Sequence, residues 1–282
     1  MSSAVIDIGS GSVRLLLGGK KTTVMTKLGE GLNAEGVLSE TAIIRTVSAI
    51  KDLAMTARLA GAEVHAFATE AVRVASNRGE FLSAVSAECA VDVEIISGYE
   101  EAEVALLGAC PDGDATVIDI GGASVEIVCG SRGNISYVKS LPLGMVRLTE
   151  QSDGAPDLIR AYSVRGLSNY GKVEVLGKAI GVGGTFTSLS AMAQGLEKYD
   201  PEKVQGYYLD KETVAGIREK LIEAETPEKI MEIYPSLPPL RAELIKAGAI
   251  FVGELFDYLG IDGVTVSEAD NLDGYLRYKG LN

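Results

Sequence analysis

The sequence predicts an α/β fold assembled from two related units. A strand–turn–strand stretch occurs twice, strand-like and helix-like segments alternate along the chain, and glycine pairs sit where strands give way to turns. Alternation of this kind marks helices packed on a sheet with parallel strands.

The duplicated stretch carries most of the weight. Residues 5–18 read Val-Ile-Asp-Ile-Gly-Ser-Gly-Ser-Val-Arg-Leu-Leu-Leu-Gly, and residues 117–130 read Val-Ile-Asp-Ile-Gly-Gly-Ala-Ser-Val-Glu-Ile-Val-Cys-Gly. Asp7 matches Asp119, Gly9 matches Gly121, Ser12 matches Ser124 and Val13 matches Val125. The offset, 117 − 5 = 112 residues, is the size of a small domain and far longer than a solenoid repeat. Two β-branched runs joined through glycines read as a β-hairpin. Glycines let the backbone approach an anion, and the N–H groups of such a turn form a phosphate nest. An acid at the end of the entering strand is a natural oxygen donor for Mg²⁺. Two such hairpins on related units are expected to face each other across a cleft.

The remaining elements follow in order. Thr22–Thr26 reads as a strand, and Lys27-Leu-Gly-Glu-Gly-Leu as a loop. Ser39 caps a helix from about Glu40 to Ala60, with Ile43, Ile44, Val47, Ile50 and Leu53 near helical spacing. Ala62–Ala68 alternates as a strand and leads into a helix with Thr69 as its cap. Arg73 on that helix lies at the carboxyl end of the strand, where α/β sheets bind ligands. Val91–Ile96 is a strand, followed by a helix that opens with Glu100 and Glu101. Acids in a first turn suit the helix dipole. Placed just before the second hairpin, one of them can instead accept a proton from an attacking water. Adjacent helical positions point about 100° apart, so the two cannot face a site equally.

Asp112-Gly113-Asp114 reads as a turn and the boundary between units 1–112 and 113–282. After the second hairpin come a strand at Tyr137–Ser140 and a third glycine-rich strand-to-helix turn, Ile180-Gly-Val-Gly-Gly-Thr, with Thr185 as the N-cap. A helix begins near Asp210, Pro235-Ser-Leu-Pro-Pro is a hard break, and Leu240–Leu259 is a long helix. Val264–Ser267 and a helix around Leu272–Tyr278 close the chain.

Composition excludes several functions. Thirty-nine acids against 26 bases give a net charge of −13, which repels nucleic acid and other long polyanions. The one histidine, His65, cannot build a multi-histidine metal centre and reads as a satisfied structural residue. No apolar run is long enough to span a membrane. The chain enters a strand almost at once, without a charged leader, so secretion is not expected. Cys89, Cys110 and Cys129 are odd in number and form no CxxC pair, which reads as reduced thiols in the cytoplasm.

These residues resemble the exopolyphosphatase and guanosine pentaphosphate phosphohydrolase (Ppx/GppA) family, within the larger group of actin, Hsp70 chaperones and sugar kinases. The resemblance rests on an ordered series: Asp7-Ile-Gly-Ser-Gly-Ser-Val-Arg, Ala68-Thr-Glu-Ala-Val-Arg-Val-Ala-Ser-Asn, Ile96-Ser-Gly-Tyr-Glu-Glu-Ala, Asp119-Ile-Gly-Gly-Ala-Ser-Val-Glu, Ser140-Leu-Pro-Leu-Gly, Gly181-Val-Gly-Gly-Thr, Arg241-Ala-Glu-Leu-Ile-Lys-Ala-Gly and Val266-Ser. It implies duplicated ribonuclease-H-like (actin-like ATPase) domains flanking a cleft, Mg²⁺-dependent release of a terminal phosphate, and a homodimer. It places the catalytic glutamate on Glu101, with Glu100 as the alternative, and a phosphate-binding arginine on Arg73. The phosphate-cradling positions fall on Ser10, Gly11, Ser12, Gly121, Gly122, Ala123 and Ser124. The acids that support the metal fall on Asp7, Asp119 and Glu126.

The sequence also departs from the family's pattern. Gly11 stands where the family usually has Asn, Ala123 where it has Gly, Glu103 where it often has Arg, and Leu272 where it has the Arg of Arg-Glu-Gly. The lost Asn donor and the two lost arginines weaken anion binding, the Cβ of Ala123 obstructs the nest only if its φ is positive, and the additional C-terminal domains of long members are not expected. With the acidic charge, this points to short substrates, guanosine pentaphosphate or short-chain polyphosphate, rather than long polyphosphate. Two other readings stand beside the hydrolase: a catalytically weak sensor of nucleotide or polyphosphate, and an ATPase or kinase of the same fold.

Overall fold

The structure is a computed structural model that describes residues 2–30, 32, 36–122 and 124–281. The chain divides into two compact units, residues 1–108 with 271–282, and residues 109–270. The expected boundary at residue 112 lies close to this division, but the C-terminal helix groups with the first unit rather than the second.

The first unit is a five-stranded sheet ordered β3-β2-β1-β4-β5. Its strands are β1 (Ser3–Ile8), β2 (Ser12–Leu17), β3 (Lys20–Met25), β4 (Glu63–Ala68) and β5 (Val93–Ile95). β1 to β3 form an antiparallel meander, and β4 and β5 run parallel to β1. The second unit has β6 (Ala115–Ile120), β7 (Val125–Ser131), β8 (Asn134–Leu141), β9 (Lys178–Val182), β10 (Tyr208–Asp210) and β11 (Gly263–Ser267). Its order, β10-β11-β9-β6-β7-β8, repeats the first sheet with β10 added at one edge. β6 pairs antiparallel with β7 and parallel with β9, as β1 does with β2 and β4. The duplication seen in the sequence is therefore a duplication of topology, that of the ribonuclease-H-like fold.

Alternation along β1 explains how the first site is placed. Successive strand side chains point to opposite faces. Ala4, Ile6 and Ile8 enter one apolar cluster with the helices Glu40–Leu59 and Arg78–Cys89. Val5 points to the other face, into a cluster with Leu16, Phe67, Ile96, Val104, Leu272 and Tyr275. Asp7 shares that second face, as do Arg14, opposite it on β2, and Phe67, opposite it on β4. The helix Gly98–Ala109 and the C-terminal helix Asn271–Lys279 supply Val104, Leu272 and Tyr275 to the same face. A carboxylate at the end of an apolar row is thus carried to the carboxyl end of the central strand, where the chain turns at Gly9.

Three local expectations are corrected. Ser39 caps the helix Glu40–Leu59 as expected, accepting from Ala42 N. Thr69 makes no side-chain cap bond, and its helix covers only Glu70–Val74. A further helix, Arg78–Cys89, follows after a break. The break has a visible cause: the Asn77 side chain bonds both N and O of Leu38, which holds the chain away from a continuous helical path. Thr69 does stand at the N-cap position, but Thr185 does not. The helix Gly184–Ala193 begins two residues earlier than that cap requires, with Gly183 at the cap, where φ is +89° and a glycine is needed. His65 is not satisfied as expected, because its buried Nε2 finds no hydrogen-bond partner among the described residues.

Candidate active site

The two repeated turns share one construction. Gly9 N donates to Ser12 O and Gly121 N donates to Ser124 O, both at 3.0 Å. In the first turn, Gly11 O accepts from Thr26 N at 3.0 Å and Lys27 N at 2.9 Å, and Ser10 O accepts from Gly29 N at 2.9 Å. In the second, Gly121 O accepts from Met145 N at 3.0 Å and Gly122 O from Val146 N at 2.9 Å. The carbonyl oxygens are tied down by the segment that follows. The N–H groups of Ser10, Gly11 and Gly122 donate to no acceptor among the described residues. Backbone donors left open beside anchored carbonyls are the chemistry of an anion nest. Ala123 lies outside the described residues.

The turns differ in the charge across from their aspartate. Asp7 stands opposite Arg14 in the β1–β2 register, and its Oδ2 accepts from Arg14 Nε at 3.1 Å and from Nη2. Asp119 stands opposite Glu126 in the β6–β7 register, and Glu126 opposite Ser140 in β7–β8. Directly opposed residues share a face. Asp119, Glu126 and Ser140 therefore form one row, with Ser140 Oγ donating to Glu126 Oε1. Arg14 and Glu126 occupy the same place in the two copies, so across the register the acid of one hairpin faces an arginine and that of the other faces a second acid.

That difference bears on a cation. No group of three or more His, Cys, Asp and Glu side chains is assembled for a metal among the described residues. Two carboxylates on one face still suit Mg²⁺, which is commonly held by one or two carboxylates and completed by substrate oxygens and water. The residues of the second hairpin fit such an ion. Asp7 differs in that an arginine occupies its Oδ2.

Gly183 backs the second hairpin closely: a Cβ there would lie 2.6 Å from Asp119 Oδ1 and 3.0 Å from Ile120 O. Gly183→Ala would force both a clash and a left-handed backbone on a residue with a side chain, costing roughly 1–3 kcal/mol for the backbone alone. It is expected to lower the melting temperature and to weaken any Mg²⁺ dependence. Thermal melts with and without Mg²⁺ check this.

Glu100 and Glu101 are separated in the way that helical spacing requires. Ser97 and Glu100 form a capping box, Glu100 N donating to Ser97 Oγ at 3.2 Å and Ser97 N to Glu100 Oε2 at 2.8 Å. The bond from Ser97 N is the main cause that holds the Glu100 carboxyl below the usual range. Glu101 points elsewhere. Its Oε2 accepts from Arg73 Nη1 at 3.1 Å, and the same nitrogen donates to Ile96 O at 2.8 Å. Burial pushes the Glu101 carboxyl up from 4.5 to about 7, assisted by the charges of Asp7 and Glu70 and opposed by Arg73. A quarter of its side chain is still exposed, so the raised proton affinity belongs to a group that a reactant can reach.

One residue of interest received no role from the sequence reading. Arg241, at the start of the helix Pro239–Leu259, lies against Gly184 so closely that a Cβ there would sit 2.0 Å from its Nη2. Burial lowers its proton affinity from the ordinary arginine range. Its guanidinium makes no hydrogen bond to a described residue. The available signal was an arginine in the first turn of an otherwise apolar helix, directly after Pro238-Pro239. Leu272, by contrast, is fully buried in the apolar cluster of the first unit.

The sequence profile of the Ppx/GppA phosphatase family matches residues 4–276. The chain belongs to this family. It is 32% identical over 309 aligned positions to exopolyphosphatase 2 of Mycobacterium tuberculosis, covering 96% of each chain. It is 30% identical over 308 positions to the bifunctional 3-dehydroquinate synthase/phosphatase of Fusobacterium nucleatum, covering 96% of this chain and 45% of that one. The crystal structure of the Aquifex aeolicus Ppx/GppA family member superposes with a TM-score of 0.82 at 30% identity, covering 99% of this chain and 97% of that one. Family membership gives a phosphatase of exopolyphosphatase type on two ribonuclease-H-like units. No helix among the described residues is long and apolar enough to cross a membrane.

Proposed function

We propose that this protein is a Mg²⁺-dependent phosphoanhydride hydrolase that releases the terminal phosphate of short polyphosphates or guanosine pentaphosphate. The observation that carries the reading is Glu101, a partly exposed carboxyl raised to about 7 and oriented by Arg73. A general base works best when its pKa lies near the working pH. Glu101 takes the proton of the attacking water, and Arg73 holds the carboxylate and binds phosphate. The open N–H groups of Ser10, Gly11 and Gly122, with the hydroxyls of Ser12 and Ser124 and the Arg241 guanidinium, which has no hydrogen-bond partner among the described residues, offer donors to phosphate oxygens, and Gly121 shapes the second turn. Asp119 and Glu126 would hold Mg²⁺, which when bound neutralises charge on the anhydride oxygens. Asp7 we assign to orienting Arg14. The free thiols of Cys89, Cys110 and Cys129 suit the cytoplasm.

Short substrates are favoured because a polyphosphate chain needs positive charge along its length. Acids exceed bases by 39 − 26 = 13, and no stretch clusters five basic residues. Measuring kcat/KM on phosphate chains of increasing length, at fixed ionic strength and free Mg²⁺, should give a plateau within the first few phosphates. A continuing rise with length, or processive degradation of long chains, contradicts the substrate assignment.

A further inference from the structure

The C-terminal helix Asn271–Lys279 returns to the first unit and meets the helix that carries Glu101 at three levels. At the first turn, Tyr278 Oη donates to Glu100 Oε1 at 3.3 Å, the same carboxylate that closes the capping box. Halfway along, Gly274 lies so near that a Cβ would sit 1.8 Å from Val104 O and 2.9 Å from Gly108 N. At the last turn, Arg277 Nη1 donates to Leu107 O and Gly108 O, both at 2.6 Å. Those two carbonyls belong to the group that a helix end leaves without intrahelical partners.

The same short helix braces the strands that position Arg73. Tyr275 stacks on Phe67 of β4 with ring centroids 4.5 Å apart, and its Oη donates to Glu94 Oε2 of β5 at 2.6 Å. Lys279 Nζ donates to the other oxygen of Glu94 at 2.7 Å. β4 runs directly into the Glu70–Val74 helix of Arg73, and β5 into Ile96, whose carbonyl accepts from Arg73. Residues 274–279 therefore touch the helix that bears Glu101 and the two strands that lead into the segments holding Arg73.

From this geometry we infer that the C-terminal helix is a positioning clamp for the Glu101–Arg73 pair, with Arg277 and Tyr278 as positioning residues of the hydrolytic reaction. The inference rests on the role proposed for Glu101. Arg277 and Tyr278 touch neither Glu101 nor Arg73; they act through the backbone of the Gly98–Ala109 helix and through Glu100. Interactions that hold a base in place act on the chemical step more than on substrate affinity, because substrate binding draws on other donors.

The test compares the full-length protein with Arg277→Ala, Arg277→Lys and Tyr278→Phe by phosphate release from tripolyphosphate and by amide hydrogen exchange. Arg277→Ala is expected to lower kcat about tenfold or more with KM within about twofold, as for loss of alignment. Arg277→Lys, which keeps a donor for the carbonyls, should recover part of the loss, and Tyr278→Phe should show a smaller one. Exchange should quicken through residues 101–108 in Arg277→Ala, while the second unit keeps its protection. Unchanged kcat per folded molecule, or exchange that quickens only at residues 107 and 108, overturns the clamp. The exchange measurement reads the clamp without turnover. If the wild type releases no phosphate, the proposed function fails, while exchange still decides whether the clamp exists. If Arg277→Ala does not fold, Arg277→Lys and Tyr278→Phe decide by the same two readouts.

Discussion

Glu101→Gln is expected to cut the hydrolysis rate by about 10²–10⁴-fold, the range for removal of a positioned general base. Gln keeps the shape of the side chain and an oxygen for Arg73, so loss of the base is separated from loss of the contact. The same substitution should also change stability in a pH-dependent way. The Glu101 carboxyl titrates near 4.5 when unfolded and at about 7 in the fold. Between those values the native state binds more protons than the unfolded chain, so stability falls as pH rises through the window. Below about 4.5 both states are protonated and there is no difference; above about 7 the full penalty is present and constant. Gln has no such penalty. Glu101→Gln should therefore gain stability over the wild type as pH rises from about 4.5 to 7, approaching about 3 kcal/mol at most from a shift of this size. Denaturant melts across that range test it. In the wild type, kcat/KM should rise with pH and level off above about 7.

The second large effect is expected at the second hairpin. Asp119→Asn and Glu126→Gln should each raise the Mg²⁺ concentration needed for half-maximal activity and lower the rate by on the order of 10²-fold or more, since a metal contributes several kcal/mol of charge stabilisation. The effects should be far from additive, because residues that act as a unit fail together. Asp7→Asn should behave differently. It removes a partner of Arg14 rather than a ligand, so the half-maximal Mg²⁺ concentration should stay near that of the wild type. Activity titrated against free Mg²⁺ for all three variants distinguishes the roles. An Asp7→Asn shift as large as that of Asp119→Asn would return Asp7 to the metal.

Much of this arrangement was legible in the sequence, for reasons tied to particular residues. The 112-residue offset between Asp7 and Asp119 is a pattern in the chain, and it reappears as two sheets of matching strand order. Ser39 was readable as a cap, and Asp210 as the start of a helix, because a cap is a local bond between near neighbours. What stayed hidden depends on long-range contacts. The break before Arg78 comes from Asn77 reaching Leu38 across 39 residues. The division between Glu100 and Glu101 needed the capping box, which Ser97-Gly-Tyr-Glu100 does spell out, and which assigns Glu100 to the helix end. Arg14 looked like an ordinary strand residue until register placed it across from Asp7. The return of the last helix to the first unit, with Arg277 on carbonyls 170 and 169 residues earlier, leaves no local trace at all.

The most direct measurement is hydrolysis of tripolyphosphate or guanosine pentaphosphate in ¹⁸O-labelled water with Mg²⁺, with the isotopic content of the released orthophosphate read by mass spectrometry. Attack by a water deprotonated at Glu101 puts one solvent oxygen into each orthophosphate released, and Glu101→Gln should suppress its formation. Binding of either compound, seen as a raised melting temperature, with no labelled orthophosphate formed by the wild type would contradict the account and leave a sensor in place of an enzyme.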